Sequence, residues 1–409
     1  MRLIKNGHVV LKDEIVKADI LIDEKIVAIK EKIEEKDAEV IDATNLYVLP
    51  GLIDVHVHLR EPGFSHKETI KTGTMAAIKG GFTTICAMPN VIPYPDDEKT
   101  IKEYLELIEK NALCHVYPYA TMTVEEKGIE MVDFKKIKKL GIKIFSDDGV
   151  GVQDDKLMKE IFDEALKEDV MIVAHTEDMN YRPKGASMHE GEYSKQNGLI
   201  GIDSRCEYEA IRRDLGLLNK KNRYHICHMS AKESVKLLKE AKLNGYDVSG
   251  EVTTHHLLLE DKDVSGTNYK MNPPLRSHED RLALIEGLES GVIDFIASDH
   301  APHSESDKAK SMAEAPFGIV SLETSFAMLY TEFVKKNRWK LNDLVSYMSY
   351  KPARRFDFEN KGEIALGLDA DLILVDEFVS MGHNTPFDKR RVYGKVIETM
   401  VNGKTVWKG

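Results

Sequence analysis

Cysteine and glutamine are both scarce in this chain. Of 409 residues, 4 are Cys, and glutamine occurs only at Gln153 and Gln196. Cys86, Cys114, Cys206 and Cys227 show no Cys-x-x-Cys spacing and read as reduced, buried thiols. Cys227 adjoins His228, and core packing is its expected role. The near-absence of glutamine, beside abundant lysine, glutamate and isoleucine, suits a heat-adapted source. No apolar run approaches the ~20 residues that span a bilayer. The start, Met1-Arg2-Leu3-Ile4-Lys5, lacks a signal-peptide core. A cytoplasmic protein with no membrane partner is expected. An excess of positive charge is missing too: the net charge is −12 and the pI about 5.7, which argues against nucleic-acid binding. A local metal or arginine can still hold an anionic small molecule. No sequence repeat of fixed period and no low-complexity linker is found.

What is present is a soluble globular composition, 42% hydrophobic and 31% charged. Residues 1–50 read as short strands and turns, with turn signals at Asn6-Gly7 and Asp23-Glu24-Lys25. The last fifth mirrors them. Gly367–Val375 reads as a turn into a strand, and Val396–Val401, Asn402-Gly403 and Thr405–Trp407 as a terminal hairpin. Residues 1–50 plus 355–409 are therefore expected to form one small β-sandwich domain.

Between them, over 51–354, strand and helix alternate. Strands are predicted at Leu52–His58, Phe82–Met88, His115–Ala120, Ile142–Ser146, Val170–His175, Tyr224–His228, Asp247–Thr254 and Asp294–Ser298. Leu157, Met158, Ile161, Phe162, Ala165 and Leu166 form a helical stripe. Ser230-Ala231-Lys232-Glu233 reads as a capping box whose helix Asn244-Gly245 closes. The pattern is that of an α/β chain with a (β/α)8 TIM-type barrel. A doubly wound open sheet is the alternative, weakened because no Gly-x-Gly-x-x-Gly follows an early strand.

The middle of the chain is organised around Gly51-Leu52-Ile53-Asp54-Val55-His56-Val57-His58-Leu59-Arg60-Glu61-Pro62-Gly63. Its alternation points His56 and His58 the same way, with Arg60 in phase and Glu61-Pro62-Gly63 ending the strand. Active groups of a barrel collect at the C-terminal ends of strands. Those ends carry His56 and His58, Met88-Pro89-Asn90, Lys143 with Asp147-Asp148-Gly149, His175, His228, and Asp299-His300-Ala301-Pro302-His303. Four imidazoles and one carboxylate are too many for one tetrahedral ion that keeps a place for water. Two ions sharing a bridging hydroxide use the set economically. A bridging anion is then needed, and strand four offers two: Lys143 as a CO2-derived carbamate, or Asp148.

These motifs, with Ala87-Met88-Pro89-Asn90, Met271-Asn272-Pro273-Pro274-Leu275-Arg276 and Ser298-Asp299-His300-Ala301-Pro302-His303, resemble the dihydroorotase family of the amidohydrolase superfamily over nearly the whole chain. His-x-His and the strand-eight aspartate mark the superfamily. Met-Pro-Asn, the Asn-Pro-Pro-Leu-Arg run and the second histidine of Asp-His-Ala-Pro-His favour dihydroorotase over allantoinase and hydantoinase relatives. The resemblance implies two zinc ions per subunit, with His56, His58 and Asp299 on one and His175 and His228 on the other. One branch of the family bridges them with the aspartate of Phe145-Ser146-Asp147-Asp148-Gly149. Others use a carboxylated lysine, matched by Gly141-Ile142-Lys143-Ile144-Phe145. Lys143 is favoured here, because a lysine directed among cations has little reason to exist unless its charge is reversed; Asp148 is the alternative.

The implied reaction is the reversible cyclisation of N-carbamoyl-L-aspartate to L-dihydroorotate in pyrimidine synthesis, with Asp299 as base and then acid. Arg60 is expected to bind the substrate carboxylate, Asn90 and His303 to donate beside it, and Asn272 to meet the ureide edge. His255 and His256 are expected in packing or supporting roles and His300 in a supporting one, and Ser304–Gly318 reads either as a lid that excludes water or as only a long loop. The nearest rival is an allantoinase or hydantoinase. A different class is a non-catalytic scaffold relative, with aspartate transcarbamoylase as its partner.

Overall fold

Strands built by the two ends of the chain meet in one sheet. The computed structural model describes residues 1–376, 386–387 and 390–409; within the expected terminal domain, 377–385 and 388–389 lie outside the described residues. From the N-terminal side come β1 (Arg2–Val10), β2 (Ile15–Ile22), β3 (Ile26–Lys30), β4 (Glu39–Asp42) and β5 (Tyr47–Pro50). The middle of the chain adds β6 (Leu52–Val57), β7 (Phe82–Ala87), β8 (His115–Pro118), β9 (Ile144–Phe145), β10 (Met171–Ala174), β11 (Arg223–Ile226), β12 (Val248–Thr253) and β13 (Phe295–Ala297). The end supplies β14 (Leu372–Asp376), β15 (Lys395–Val401) and β16 (Lys404–Lys408).

The terminal sheet runs β16-β15-β14-β5-β1-β2-β3, with β4 on β1. Its seam is the antiparallel pairing of β5 with β14, from Leu372 opposite Pro50 to Val375 opposite Tyr47. One apolar cluster gathers Ile4, Val9, Ile20, Ile26, Val48, Leu372, Leu374 and Met400. The β15–β16 hairpin turns at Asn402 and Gly403, whose φ angles of 47° and 70° are those of a two-residue turn favouring Asn-Gly. That turn lies against the β2–β3 turn.

In the middle, β6-β7-β8 form one parallel sheet and β9-β10-β11-β12-β13 another. Parallel bridges join them at both edges, Ala120 to Phe145 and Val57 to His300. Each predicted strand is found, ending one or two residues earlier than expected, and the one expected from Tyr224 begins at Arg223. Helices such as Ile70–Lys79, Asp155–Glu168 and Arg205–Leu217 follow the strands. Two cores result. Ile53, Val55, Met88, Tyr119, Ile144, Met171, Val173 and Phe295 form one. Val57, Leu59, Phe145, Ile172 and Ile226 join helix residues such as Ile161 and Ile211 in the other. The β6–β7 register shifts between Asp54 and Val57. Strict alternation therefore fails within the organising strand, as it does at bulges beside active sites.

One expected cap is made differently. The helix Lys232–Leu243 has Ala231 as its N-cap with no side-chain bond. Ser230 is instead turned to Glu207, which accepts from the Ser230 and Ala231 backbone nitrogens at 3.0 Å each. Asp280 accepts from the Lys232 nitrogen at 2.9 Å. A carboxylate from a neighbouring helix thus does the work that local spacing assigns to Ser230. No helix among the described residues is long and apolar enough to cross a membrane.

A β-carbon at position 403 would lie 1.7 Å from the Asp23 carbonyl oxygen, and φ there is +70°. Gly403→Ala is expected to lower stability by about 3 kcal/mol through strain and displacement of the β2–β3 turn. A urea titration reads this as an earlier midpoint, with metal content per folded chain unchanged.

Candidate metal centre

The ends of β6, β9, β10, β11 and β13 converge on one buried cluster of imidazoles and carboxylates. His56, His58 and Asp299 bring donor atoms within 4.8 Å of one another, as do Asp148, His175 and His228. His58 Nε2 lies 3.2 Å from Asp299 Oδ1, and His56 Nε2 lies 3.6 Å from the same oxygen. Asp148 stands between the two groups. Its Oδ1 is 3.5 Å from His56 Nε2, 3.5 Å from His175 Nδ1 and 3.7 Å from His228 Nε2, and its Oδ2 is 3.4 Å from His58 Nε2. Two of the strand-end residues, His228 at φ 29° and Asp299 at φ 46°, hold left-handed backbone that non-glycine residues seldom adopt.

This donor set fits divalent metal. Ligands about 2.0–2.2 Å from a tetrahedral ion stand roughly 3.3–3.6 Å from one another; the imidazole–carboxylate separations here are 3.2–3.7 Å, and His175 Nδ1 and His228 Nε2 stand closer, 2.9 Å apart. His56 Nε2 and Asp148 Oδ1 are buried without a hydrogen-bond partner, and buried polar atoms are seldom left so. The far ring nitrogens are already held: His56 Nδ1 donates to Glu251 Oε1 at 2.7 Å and His58 Nδ1 to Asn90 Oδ1 at 2.9 Å. These two imidazoles therefore present their Nε2 lone pairs to the centre, the usual arrangement of a metal-binding histidine, whereas His175 faces it with Nδ1 and turns Nε2 to Asn272 and Glu177.

Lys143, the favoured bridge in the sequence, is elsewhere. Its side chain is exposed. In the short strand β9, Ile144 packs in the core shared with Ile53 and Phe295, whereas Phe145 packs in the helix-facing core. Lys143 has the parity of Phe145 and so turns outward, where it has no access to the cluster for a carbamate to bridge. Asp148, five residues on, occupies the central place. Asp147 is turned away, accepting from the backbone nitrogens of Met122 at 2.7 Å and Thr123 at 3.1 Å. Cys227 packs in the core with Val55 and Val173, although its sulfur also lies within 4.8 Å of His56 and Asp148 donor atoms.

Burial opposes charge on Asp148, yet the imidazoles of His56, His175 and His228 hold its carboxyl well below the usual range. For His175 burial also opposes charge, and Asp148 and Glu177 outweigh it, raising the imidazole to about 10. Glu177 is drawn down to about 2, against burial, by His175 and Arg182.

A cleft of about 220 Å³ opens over the cluster, lined by Arg60, Asn90, Arg182, Asn272, His303 and Phe317 besides the ligand residues. Arg60 (φ 62°) donates from Nε to the Pro302 carbonyl at 3.3 Å. Its Nη2 lies 3.5 Å from His303 Nε2, and its guanidinium lines the cleft. Asn90 accepts from His58, and its amide nitrogen lies 3.5 Å from the Asp148 carbonyl. Asn272 Nδ2 lies 3.2 Å from His175 Nε2 and 3.3 Å from Glu177 Oε1. His303 differs from expectation. Its Nε2 donates to the Phe317 carbonyl at 2.7 Å, and burial together with Arg60 and Lys67 pushes its ionisation down to about 3. The neutral ring leaves Nδ1 buried without a partner, so what remains unpaired on His303 is an acceptor and not a donor.

The supporting histidines divide. His256 bonds Thr253 Oγ1 at 2.7 Å and the Pro273 carbonyl at 3.1 Å, and His300 Nε2 meets Glu68 at 3.1 Å. His255 is buried with neither ring nitrogen bonded. The 304–318 loop is tied down by Lys308 Nζ, which donates to the carbonyls of Lys270, Pro316 and Gly318 at 3.3, 3.2 and 2.8 Å. Arg182 lies over the Phe317 ring, 4.9 Å from its centroid.

Sequence reasoning missed Glu251, Glu177, Arg182 and Asp54. The last is buried, accepting from the backbone nitrogens of His56 and Ser298 at 3.1 Å each. An aspartate inside an apolar strand was the signal available for Asp54. Nothing local marks the other three.

Comparisons with known proteins follow this geometry. A family model described as Dihydro-orotase-like matches residues 46–234. A dihydroorotase of Bacillus pumilus is 49% identical over 99% of this chain and 98% of its own length. One from Staphylococcus aureus is 48% identical over the whole of both chains. Among solved structures, a dihydropyrimidinase from Brevibacillus agri superposes with a TM-score of 0.87 at 25% identity, covering 100% of this chain and 95% of that one. An L-hydantoinase from Arthrobacter aurescens gives 0.87 at 29% identity, covering 99% and 96%.

Two outcomes are expected. Lys143→Met should keep the metal content of the unaltered chain, whereas Asp148→Ala should lose most of it, as read by elemental analysis after dialysis. In metal-stripped protein, the His175 ionisation is raised from about 6.5 unfolded to about 10 folded. Its contribution to stability is therefore full below about pH 6.5 and lost as pH rises through 10. Divalent metal binds neutral imidazole, so melting temperatures between pH 6 and 10 should fall steeply without metal and little with it.

Proposed function

The chain belongs to the dihydroorotase family and is a cyclic amidohydrolase, and from that premise we propose that it interconverts N-carbamoyl-L-aspartate and L-dihydroorotate over two zinc ions. His56, His58 and Asp299 would hold one ion and His175 and His228 the other, with Asp148 placed between the two groups as the anion within reach of both. The observation that carries this reading is the Asp148 carboxylate, within 3.4–3.7 Å of all four imidazoles. The eight parallel strands are read as a closed (β/α)8 barrel, supported by the bridges Ala120–Phe145 and Val57–His300. The terminal strands are read as a sheet folded on itself into a sandwich, supported by the approach of Gly403 to Asp23.

When bound, the metals polarise the ring amide carbonyl and bring a water's pKa from 15.7 toward ~7. The chain's own groups do the rest. Asp299 is held ionised by His58 and His56 in spite of its burial. It takes the water's proton and delivers it to the leaving ring nitrogen; in the cyclising direction the transfers reverse. Arg60 has its Nε fixed on the Pro302 carbonyl, and its two terminal nitrogens clamp the substrate's carboxylate away from the metals. His303 accepts a ring N–H at Nδ1. Asn272 and Asn90 line the remaining wall, the former beside His175 and Glu177.

The likeness to hydantoinase structures makes a substrate panel the direct test. Zinc-loaded protein is expected to turn over dihydroorotate in preference to hydantoin, dihydrouracil and allantoin; turnover of hydantoin alone would replace this reading with the neighbouring one. Hydrogen bonds to a charged group contribute about 1.5–3 kcal/mol. Arg60→Met should therefore lower kcat/KM for dihydroorotate by roughly tenfold to a hundredfold or more, with metal content unchanged.

A further inference from the structure

A continuous line of buried polar groups leads from the metal centre to the opposite end of the strands. His56 Nδ1 meets Glu251 Oε1 at 2.7 Å, and Glu251 Oε2 meets His225 Nε2 at 3.1 Å. His225 Nδ1 meets Ser249 Oγ at 2.7 Å, and Ser249 Oγ receives the Nε–H of Arg355 at 2.7 Å. His56, His225, Ser249 and Glu251 are each no more than 1% exposed. Arg355 is anchored where β11 and β12 begin, donating to the carbonyls of Tyr224 at 3.0 Å and Asp247 at 3.1 Å and to the Asp247 carboxylate. Glu251 Oε1 also accepts the backbone N–H of His228 at 3.2 Å. One carboxylate oxygen therefore holds ligand residues from both metal groups.

The protons along this line have one arrangement that satisfies every atom. The guanidinium can only donate, so Ser249 Oγ accepts from it and turns its own hydrogen to His225 Nδ1. His225 then carries its proton on Nε2 and donates to Glu251. Glu251 is ionised, accepts from both imidazoles, and leaves His56 with its proton on Nδ1 and a lone pair on Nε2. With no hydroxyl at 249, the His225 proton is free to move to Nδ1, which sets a bare Nε2 against a carboxylate.

We propose that Ser249, held by Arg355 at the end of the barrel away from the substrate, is a positioning residue for the metal centre: it sets the His225 tautomer, and through Glu251 the orientation of His56 toward the metal. This rests on the metal reading above. Nothing in it touches substrate, so its removal acts on metal binding and not on substrate recognition.

The test uses the full-length protein and begins with zinc bound per unaltered chain. Zinc affinity is then measured by competition with a chromogenic chelator, beside KM for dihydroorotate and the ring 15N resonances of histidine-labelled protein. Removing an outer partner of a metal-binding histidine costs 10–100-fold in affinity. Ser249→Ala, further out, is expected to weaken zinc about tenfold, keep KM within about twofold, and shift the His225 Nδ1 resonance toward the protonated position. Ser249→Thr keeps the hydroxyl and should restore all three. Arg355→Lys keeps the charge near Asp247 but loses the Nε–H aimed at Ser249, and should weaken zinc by a smaller factor. Unaltered zinc affinity and unaltered His225 resonances in Ser249→Ala and Arg355→Lys overturn the proposal. Absence of zinc from the unaltered chain overturns the metal reading itself, a distinguishable result.

Discussion

The structure depends on the balance of charge around two buried carboxylates. Asp148 and Asp299 are buried at the floor of the cleft, and a carboxylate moved from water into such a place costs several kcal/mol unless it is matched. The imidazoles of His56 and His175, both raised in ionisation, supply charge beside Asp148, and all four rings lie within 3.7 Å of it. An arrangement so closely poised is costly to the bare protein and suited to a cation. His56 Nε2 and Asp148 Oδ1, buried and unbonded, mark where that cation belongs. The acid end of the fold is thus organised by electrostatics, with the apolar cores serving to hold five strand ends in register.

Around that centre the protein places a second layer of fixed groups. Asp54 ties the His56 backbone to Ser298, the residue before Asp299. Glu251 ties the His56 ring to the His228 backbone, and Asn90 orients His58. Each links two strands far apart in sequence, so the ligand geometry is set by pairing between strands and not by any one loop. Left-handed backbone at His228 and Asp299 is sustained by these bonds, in keeping with strain collecting where surrounding structure over-determines it.

The cleft separates two tasks. The candidate metal-binding residues occupy its floor, and Arg60 with His303 occupies one wall, kept in place by the carbonyls of Pro302 and Phe317. The loop bearing Phe317 is itself held by Lys308, whose ammonium meets three backbone carbonyls. Anion recognition and metal binding are therefore built on separate supports. Hydantoinases share the overall fold with this chain at 25–29% identity, whereas chains named dihydroorotase share nearly half its residues. That difference is what one expects when function lives in the residues of a site and not in the fold that carries it.

Much of this was legible in the residues alone, and the limit is instructive. Strand alternation and turn signals act within a few positions, so the strand positions, the Asn402-Gly403 hairpin and the ligand residues at strand ends follow from local pattern. So does the choice of imidazole and carboxylate as metal donors. Which anion of strand four faces the centre does not follow locally. Gly141–Asp148 carries both patterns, and the choice rests on the parity of a two-residue strand, which turns Phe145 and with it Lys143 outward. Ser230 shows the same limit, since the cap its spacing suggests is made by Glu207 from another helix. Glu251 lies 195 residues from the histidine it orients, and His303 is left with an acceptor nitrogen only because its Nε2–H is engaged by the Phe317 carbonyl. Local sequence determined which groups exist and which end of each strand bears them. The pairing of distant strands decided where each group points, because side-chain direction in a strand is set by register, and register belongs to the sheet.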